Sequence, residues 1–261
     1  MDVTSIPWSW PLWIQREILS RLNLESWNEI PSLNPSKTHY WQTIINQYDR
    51  GIPITKIIGI KYFYDYKLIN YEALDPRYDS EVIFDIFAHW DGVNYRPKTA
   101  IELGGGTGCL SIAMIKHFNN LMTIGELNGT TIKTLQRNLK INGVEAQVVE
   151  TNWWQNVMGK FDVLITNPPY LSLSEMINGS PWETYGDPPM ALYGGLDGLD
   201  DYRTILKDAH KFINHWIILE ICSNKLKEII SLMGPHWSLE KIFYDLQNRP
   251  RMLLLTKINY Y

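Results

Sequence analysis

Phe161-Asp162-Val163-Leu164-Ile165-Thr166-Asn167-Pro168-Pro169-Tyr170 is a short apolar run, β-branched at Val163, Ile165 and Thr166, that two prolines stop abruptly. Such a run reads as a buried strand of a parallel sheet. In open α/β sheets ligands bind beyond the carboxyl ends of the strands, so the residue presented there, Asn167, is a candidate for chemistry. Its side chain offers both an acceptor and a donor. Pro168 and Pro169 lack N–H groups, so no regular helix consumes the carbonyls of Asn167 and Pro168. These form a rigid pair of acceptors suited to an uncharged NH2 group, and the Tyr170 ring can lie against a flat conjugated group. Two readings are open for the four residues: a site presenting a planar nitrogen for attack, or a strand stop with Tyr170 in the core.

Upstream, Thr99-Ala100-Ile101-Glu102-Leu103 reads as another strand, followed by Gly104-Gly105-Gly106-Thr107-Gly108 and an apolar helix from Cys109 to about His117. Glycines here let the backbone turn tightly and approach a ligand, with helix N-terminal N–H groups pointing at it. The spacing departs from the dinucleotide fingerprint, whose third glycine would fall at Cys109 and not at Gly108. Twenty residues after Gly106, the run Leu121-Met122-Thr123-Ile124-Gly125 ends in Glu126. An acid at that strand tip is placed to accept hydrogen bonds from both ribose hydroxyls of an adenosine group; a solvated loop carboxylate is the alternative. A helix over 130–142, a strand over 145–149 and Thr151-Asn152-Trp153-Trp154 come next. Trp153 either covers an adenine ring or packs in the core. Strands alternating with helices of about a dozen residues predict an α/β fold with a parallel sheet.

Farther out, residues 1–58 carry helical patterns, among them Trp13-Ile14 with Ile18, Leu19 and Leu22, and Tyr40-Trp41 with Ile44, Ile45 and Tyr48, broken at 31–36. A small helical domain is expected, its core accounting for Trp8, Trp10 and Trp13. Residues 59–74 turn aromatic and β-like and predict a linking hairpin, and 75–261 the sheet domain. Asp79 or Ser80 is expected to cap a helix whose inward face is Val82, Ile83, Ile86 and Phe87; Arg77 has no such structural role. The Pro/Gly-rich stretch from Tyr170 to Gly198, Glu183 included, is long for a plain connection and reads as a binding loop. A helix over 199–213, a strand over 216–221, a helix over 226–233 and strands over 238–245 and 252–258 complete the chain.

Of 261 residues 45% are hydrophobic and 20% charged, ordinary for a globular protein, and the net charge of −4 disfavours nucleic acid as principal ligand. Cys109 and Cys222 are the only cysteines, too few for a disulfide framework and without metal-ligand spacing, so a reducing cytoplasm is expected. No apolar stretch reaches spanning length, and the first sixteen residues lack the plan of a signal peptide.

Taken together these segments resemble the HemK/PrmC-type protein-glutamine methyltransferases over about residue 50 to the end. The resemblance rests on Pro53-Ile54 with Ile58-Gly59, Leu74-Asp75-Pro76-Arg77 with Asp79-Ser80-Glu81, Glu102-Leu103-Gly104 with Gly106-Thr107-Gly108, and Asn167-Pro168-Pro169-Tyr170. It continues through Asp187-Pro188, Ala191-Leu192, Gly194-Gly195, Asp197-Gly198-Leu199, Tyr202-Arg203, Asp245-Leu246 and Arg251. The Asn-Pro-Pro-Tyr element alone is shared with adenine-specific DNA amino-methyltransferases; the combination in this order is specific. It implies a Rossmann-like sheet that binds S-adenosyl-L-methionine, with Gly104, Gly105, Gly106, Thr107 and Gly108 around the cofactor, Glu126 on its ribose and Trp153 near its adenine. Asn167, Pro168, Pro169 and Tyr170 would hold the substrate, the glutamine of a Gly-Gly-Gln tripeptide in a peptide chain release factor, with no metal required. Departures are Glu126 and Asn152 where the family commonly has Asp, Cys222 and Asn248 in place of glycines, and no family motif before residue 50. Alternatives are a ribosomal-protein glutamine or DNA-adenine methyltransferase, and a lapsed member that only binds.

Overall fold

The computed structural model describes residues 10–179 and 186–258; Trp8 and Glu183 lie outside them. The chain divides into two compact units, residues 1–60 with 181–186, and residues 61–180 with 187–261.

In the first unit, α1 (Leu12–Leu22) buries Ile14, Ile18 and Leu22, the stripe that a 3.6-residue period selects, and ends at Asn23 in the left-handed conformation. α2 (Pro35–Asp49) opens with the Asn34 side chain accepting from the Lys37 N–H at 3.0 Å and buries Trp41 and Ile44. Between them Trp27–Ser32 form a 3-10 helix started by a Ser26/Glu29 capping box. A short α3 (Ile54–Ile58) follows. Trp41 packs against Trp10 and Trp27, with ring centroids 6.5 and 5.5 Å apart. Buried Gln15 joins the same cluster, donating to the Trp10 carbonyl and accepting from Trp27 Nε1. Trp10, Trp27 and Trp41 are therefore packing residues.

β1 (Ile60–Phe63), which belongs to the second unit from Lys61 onward, and β2 (Tyr66–Ile69) form a hairpin. The rest alternates: α4 (Ile83–Gly92), β3 (Thr99–Leu103), α5 (Cys109–Phe118), β4 (Leu121–Glu126), α6 (Gly129–Ile141), β5 (Gln147–Glu150), β6 (Phe161–Thr166), α7 (Leu173–Asn178), α8 (Asp200–Phe212), β7 (Ile213–Glu220), α9 (Leu226–Ser231), β8 (Trp237–Tyr244) and β9 (Pro250–Lys257). Strands β3 to β9 make one sheet in the order β5-β4-β3-β6-β7-β9-β8, with β9 antiparallel to both neighbours. Ala100, Val163, Ile165 and Ile218 pack on one side with Ile83, Phe87, Ile112 and Leu135; Ile101, Leu164, Ile217 and Leu219 pack on the other with Tyr202, Ile205 and Ile229. Burial on both faces is why these strands read as unbroken apolar runs.

Two features differ from expectation. The cap from Asp79 or Ser80 is not made: Tyr78–Val82 form a 3-10 turn with no side-chain cap. The Ser80 hydroxyl instead donates to Glu220 Oε2 at 2.6 Å, and Asp79 pairs with Arg251 at 2.8 Å. A buried carboxylate without a donor is costly, whereas the start of α4 continues from a 3-10 turn whose Ser80 and Glu81 carbonyls accept the Ile83 N–H, so Glu220 takes the hydroxyl. Helix α7 lies inside the stretch read as loop; its Ser172/Glu175 capping box was a visible signal. No described helix is long and apolar enough to cross a membrane.

β3 has β4 on one side and β6 on the other, so the chain leaves the sheet in opposite directions there and opens a crevice beyond the strand tips. Leu103 is in register with both Gly125 and Thr166. Gly104, Glu126 and Asn167, each the next residue along its strand, therefore emerge at one level.

Candidate active site

The Gly-rich turn is held by backbone. The N–H groups of Gly104 and Gly105 both donate to the Gly125 carbonyl, and Gly108 N–H to the Gly105 carbonyl at 2.7 Å. A Cβ on Gly105 would lie 2.3 Å from Ile124 Cγ2, so the turn lies flat on β4 only because no side chain intervenes. Gly105→Ala should therefore overpack this contact and destabilise the protein by about 1–3 kcal/mol, seen as a lowered thermal midpoint. An unchanged midpoint would show that the turn has room to lift. Gly106 N–H donates to Glu126 Oε2 at 2.9 Å, while Oε1 accepts from Leu127 and Asn128 at 2.8 and 2.9 Å. Glu126 thus ties the turn to the tip of β4. Asn138 on α6 does the same from behind, donating to the carbonyls of Thr107 and Ile69 and accepting from the Ile69 N–H, which fastens the hairpin to the turn.

These elements surround a cavity of about 310 Å³, within the range of small-molecule sites. Of the residues singled out in the sequence, Gly104, Gly106, Glu126, Trp153, Asn167 and Pro169 line it; Gly105, Thr107, Gly108, Pro168 and Tyr170 do not. Thr107 is buried, and Gly108 sits against Leu135. Trp153 lies over Gly104, at 3.6 Å from where a Cβ would be, and its Nε1 donates to Asp201 Oδ1 at 3.0 Å. Trp153 also packs, partly buried, against the core cluster that holds its neighbour Trp154, which is buried, bonded to the Ile205 carbonyl and stacked on Phe212.

The Asn-Pro-Pro-Tyr segment leaves β6 where the Thr166 hydroxyl donates to the Leu103 carbonyl at 2.8 Å. Asn167 Oδ1 is buried, and among the described residues it has no hydrogen-bond partner. No described residue donates to the carbonyls of Asn167 or Pro168 either. Farther along, the segment is clamped. Lys225 Nζ donates to the Tyr170 carbonyl at 2.6 Å and pairs with Glu175 at 2.5 Å. Gly194 N–H donates to the Leu171 carbonyl, and Gly198 approaches so closely that a Cβ would lie 2.3 Å from the Tyr170 oxygen. Burial disfavours the ionised form of Glu175, but Lys225 and the N–H and hydroxyl of Ser172 outweigh it and lower its pKa to about 2. Rigid support on one side and unused acceptors on the other is a preorganised arrangement.

Arg77, for which the sequence offered no structural role, has one. It pairs with Asp187 at 2.7 Å, and Asp187 also accepts the Asp75 N–H, joining the Pro-Arg loop to the Asp-Pro-Pro loop. Cys222, at φ −80°, occupies ordinary backbone, whereas Asn248, at φ 60°, takes the left-handed position that glycine fills without strain.

Four polar residues near the strand tips, of which only Glu102 stood in a motif, were given no role from the sequence. Glu220 ends β7 fully buried; burial raises its pKa to about 7, with the Ser80 hydrogen bond opposing. Burial raises that of Glu102 in β3 to about 8, against donation from the Ser111 N–H and hydroxyl. An acid closing an apolar strand, the plan that marked Glu126, was the available signal for Glu220. Lys225 and Asp201 have no local signal, because each is defined by a partner far along the chain.

An acceptor carboxylate, a flat indole, an unhindered glycine backbone and an unpartnered acceptor fit an adenosine group carrying a sulfonium. The sheet is that of a Rossmann-like methyltransferase, a class that uses S-adenosylmethionine. The model of the Methyltransferase small domain family matches residues 88–179. The release factor glutamine methyltransferase of Agrobacterium fabrum is 30% identical over 202 residues, covering 74% of this chain and 70% of that protein. By that relative, the chain belongs to the release factor glutamine methyltransferase family. A bifunctional methyltransferase of Rickettsia felis is 27% identical over 261 residues, covering 87% of this chain; the match spans 50% of that relative's length. The fold matches the ribosomal protein L11 methylase of Lactobacillus delbrueckii with a TM-score of 0.56 at 14% identity, covering 74% of this chain and 84% of that one.

Proposed function

We propose that this protein transfers a methyl group from S-adenosylmethionine to the side-chain amide nitrogen of the glutamine in the Gly-Gly-Gln motif of a peptide chain release factor. The observation that carries the reading is the buried Oδ1 of Asn167, a residue that lines the strand-tip cavity, with no hydrogen-bond partner among the described residues. An orphaned acceptor costs stability and persists where a ligand's donor meets it.

Gly104 and Gly106 would let the backbone approach the cofactor, Glu126 would accept from its ribose hydroxyls, and Trp153 would cover its purine. Bound there, the cofactor supplies an electrophilic methyl on sulfur. An amide nitrogen is a poor nucleophile because its lone pair is delocalised. Asn167 Oδ1 and the Pro168 carbonyl would accept its two hydrogens, turn the lone pair toward the methyl and stabilise the positive charge that develops on nitrogen. One of those protons then leaves to solvent as the new N–C bond replaces the S–C bond. Pro169 stiffens the loop, and Tyr170 supports the substrate side of the slot. Residues 1–58 would recognise the protein substrate, and the flexible glycine pair would let the glutamine side chain extend.

The test is incubation with S-adenosylmethionine and either an intact release factor or an isolated Gly-Gly-Gln peptide, read by peptide mass. Methylation of the glutamine is expected, and more efficiently in the intact factor, because remote contacts supply the energy that orients it. An unmodified factor beside a methylated ribosomal protein or adenine-containing DNA would overturn the assignment.

A further inference from the structure

The Trp153 indole N–H is held by a carboxylate that none of the sequence motifs accounts for. Asp201 stands in the first turn of α8, and it lines the same cavity as Trp153, Asn152 and Gly104. Its Oδ1 is occupied by Trp153 Nε1 at 3.0 Å. Its Oδ2 accepts no hydrogen bond among the described residues, and no described cation pairs with it. Burial raises its pKa and the Trp153 bond opposes that shift, so the group is partly withdrawn from water while keeping one acceptor available. The start of a helix favours its ionised form.

A purine held against Trp153 presents polar groups at its edge, and a carboxylate at that edge can only accept. We propose that Asp201 is an adenine-selecting residue: Oδ2 accepts a hydrogen bond from the exocyclic amine of the cofactor while Oδ1 holds Trp153 in place. The proposal rests on the reading that this cavity binds S-adenosylmethionine. A purine without the amine leaves the carboxylate desolvated and unpaired, which is the larger part of the discrimination. Asn152 offers a second acceptor in the same cavity, so the two residues must be separated by experiment.

Calorimetry on the whole chain, with S-adenosylhomocysteine and its 6-deamino counterpart in which hydrogen replaces the amine, makes the separation without catalysis. The wild type should prefer the amine-bearing ligand by roughly tenfold or more, the gain typical of a hydrogen bond to a charged group. Asp201→Ala should lose most of that preference, Asp201→Asn should keep part of it, and Asn152→Ala should leave it in place. Thermal midpoints of the free variants report whether each is folded, and the isosteric Asn variant carries the test if the Ala variant is not. Equal weakening of both ligands in Asp201→Ala would show that the residue only positions Trp153, and a preference that disappears with Asn152 would move the role there. Either result overturns the proposal while leaving the cofactor reading intact. Failure of the wild type to bind S-adenosylhomocysteine would overturn both.

Discussion

Asn167→Ala is expected to lower turnover by about a hundredfold or more, equivalent to about 2.7 kcal/mol of transition-state stabilisation, while the protein stays folded. The loss follows from removing an acceptor that would both orient the amide and stabilise charge forming on it. The persistence of the fold follows from how the segment is held. Its supports are the Thr166 hydroxyl on Leu103, Lys225 on the Tyr170 carbonyl and Gly194 on Leu171, none of which uses the Asn167 side chain. Because Oδ1 is buried without a partner among the described residues, its removal also relieves a desolvation cost. The thermal midpoint of the free Ala variant should therefore equal or exceed that of the wild type. Single-turnover rates and melting curves on the same preparation check both halves. Near wild-type turnover would exclude Asn167 from the chemistry, and a collapsed midpoint would make it a structural residue.

Glu126→Ala should weaken S-adenosylhomocysteine binding by about 1–3 kcal/mol in calorimetry, the cost of leaving ribose hydroxyls without their acceptor. The geometry adds a second consequence. The same carboxylate receives the N–H groups of Gly106, Leu127 and Asn128, so the variant also releases the Gly-rich turn from β4. Glu126→Asp should recover part of the affinity, since a shorter arm can reach either the turn or the ribose but not both. Unchanged affinity in the Ala variant, with a lowered midpoint, would assign Glu126 to holding the turn alone.

The parallel sheet was legible because its signals are local. Val163, Leu164 and Ile165 form a run that two prolines end, and the runs closing at Leu103 and Glu126 lie at the spacing of a βαβ unit. Hydrophobic period and turn chemistry act within a few residues, so they survive without knowledge of the fold. Helix α7 escaped despite its Ser172/Glu175 box because six residues between prolines and glycines carry too little periodicity to outweigh the loop signals. The helix cap at Asp79 or Ser80 failed for a different reason. Its competitor Glu220 lies 140 residues away and is buried, and nothing near Ser80 announces it.

Sequence alone determined that this chain builds an open α/β sheet and singled out Gly104, Glu126 and Asn167 at its strand tips, where the proposed site lies, since all three follow from patterns spanning fewer than about thirty residues. Tertiary structure alone decided how those residues divide the work. Gly105 packs on Ile124 while Gly106 faces the cavity; Arg77 joins Asp187 across 110 residues; Trp153 meets Asp201 across 48. Each of these depends on which buried polar group finds which partner once water is excluded, and on which backbone comes within contact of another. Those are properties of the packed interior, where the cost of an unmade hydrogen bond or an overlapping atom is set by neighbours that the local sequence does not contain.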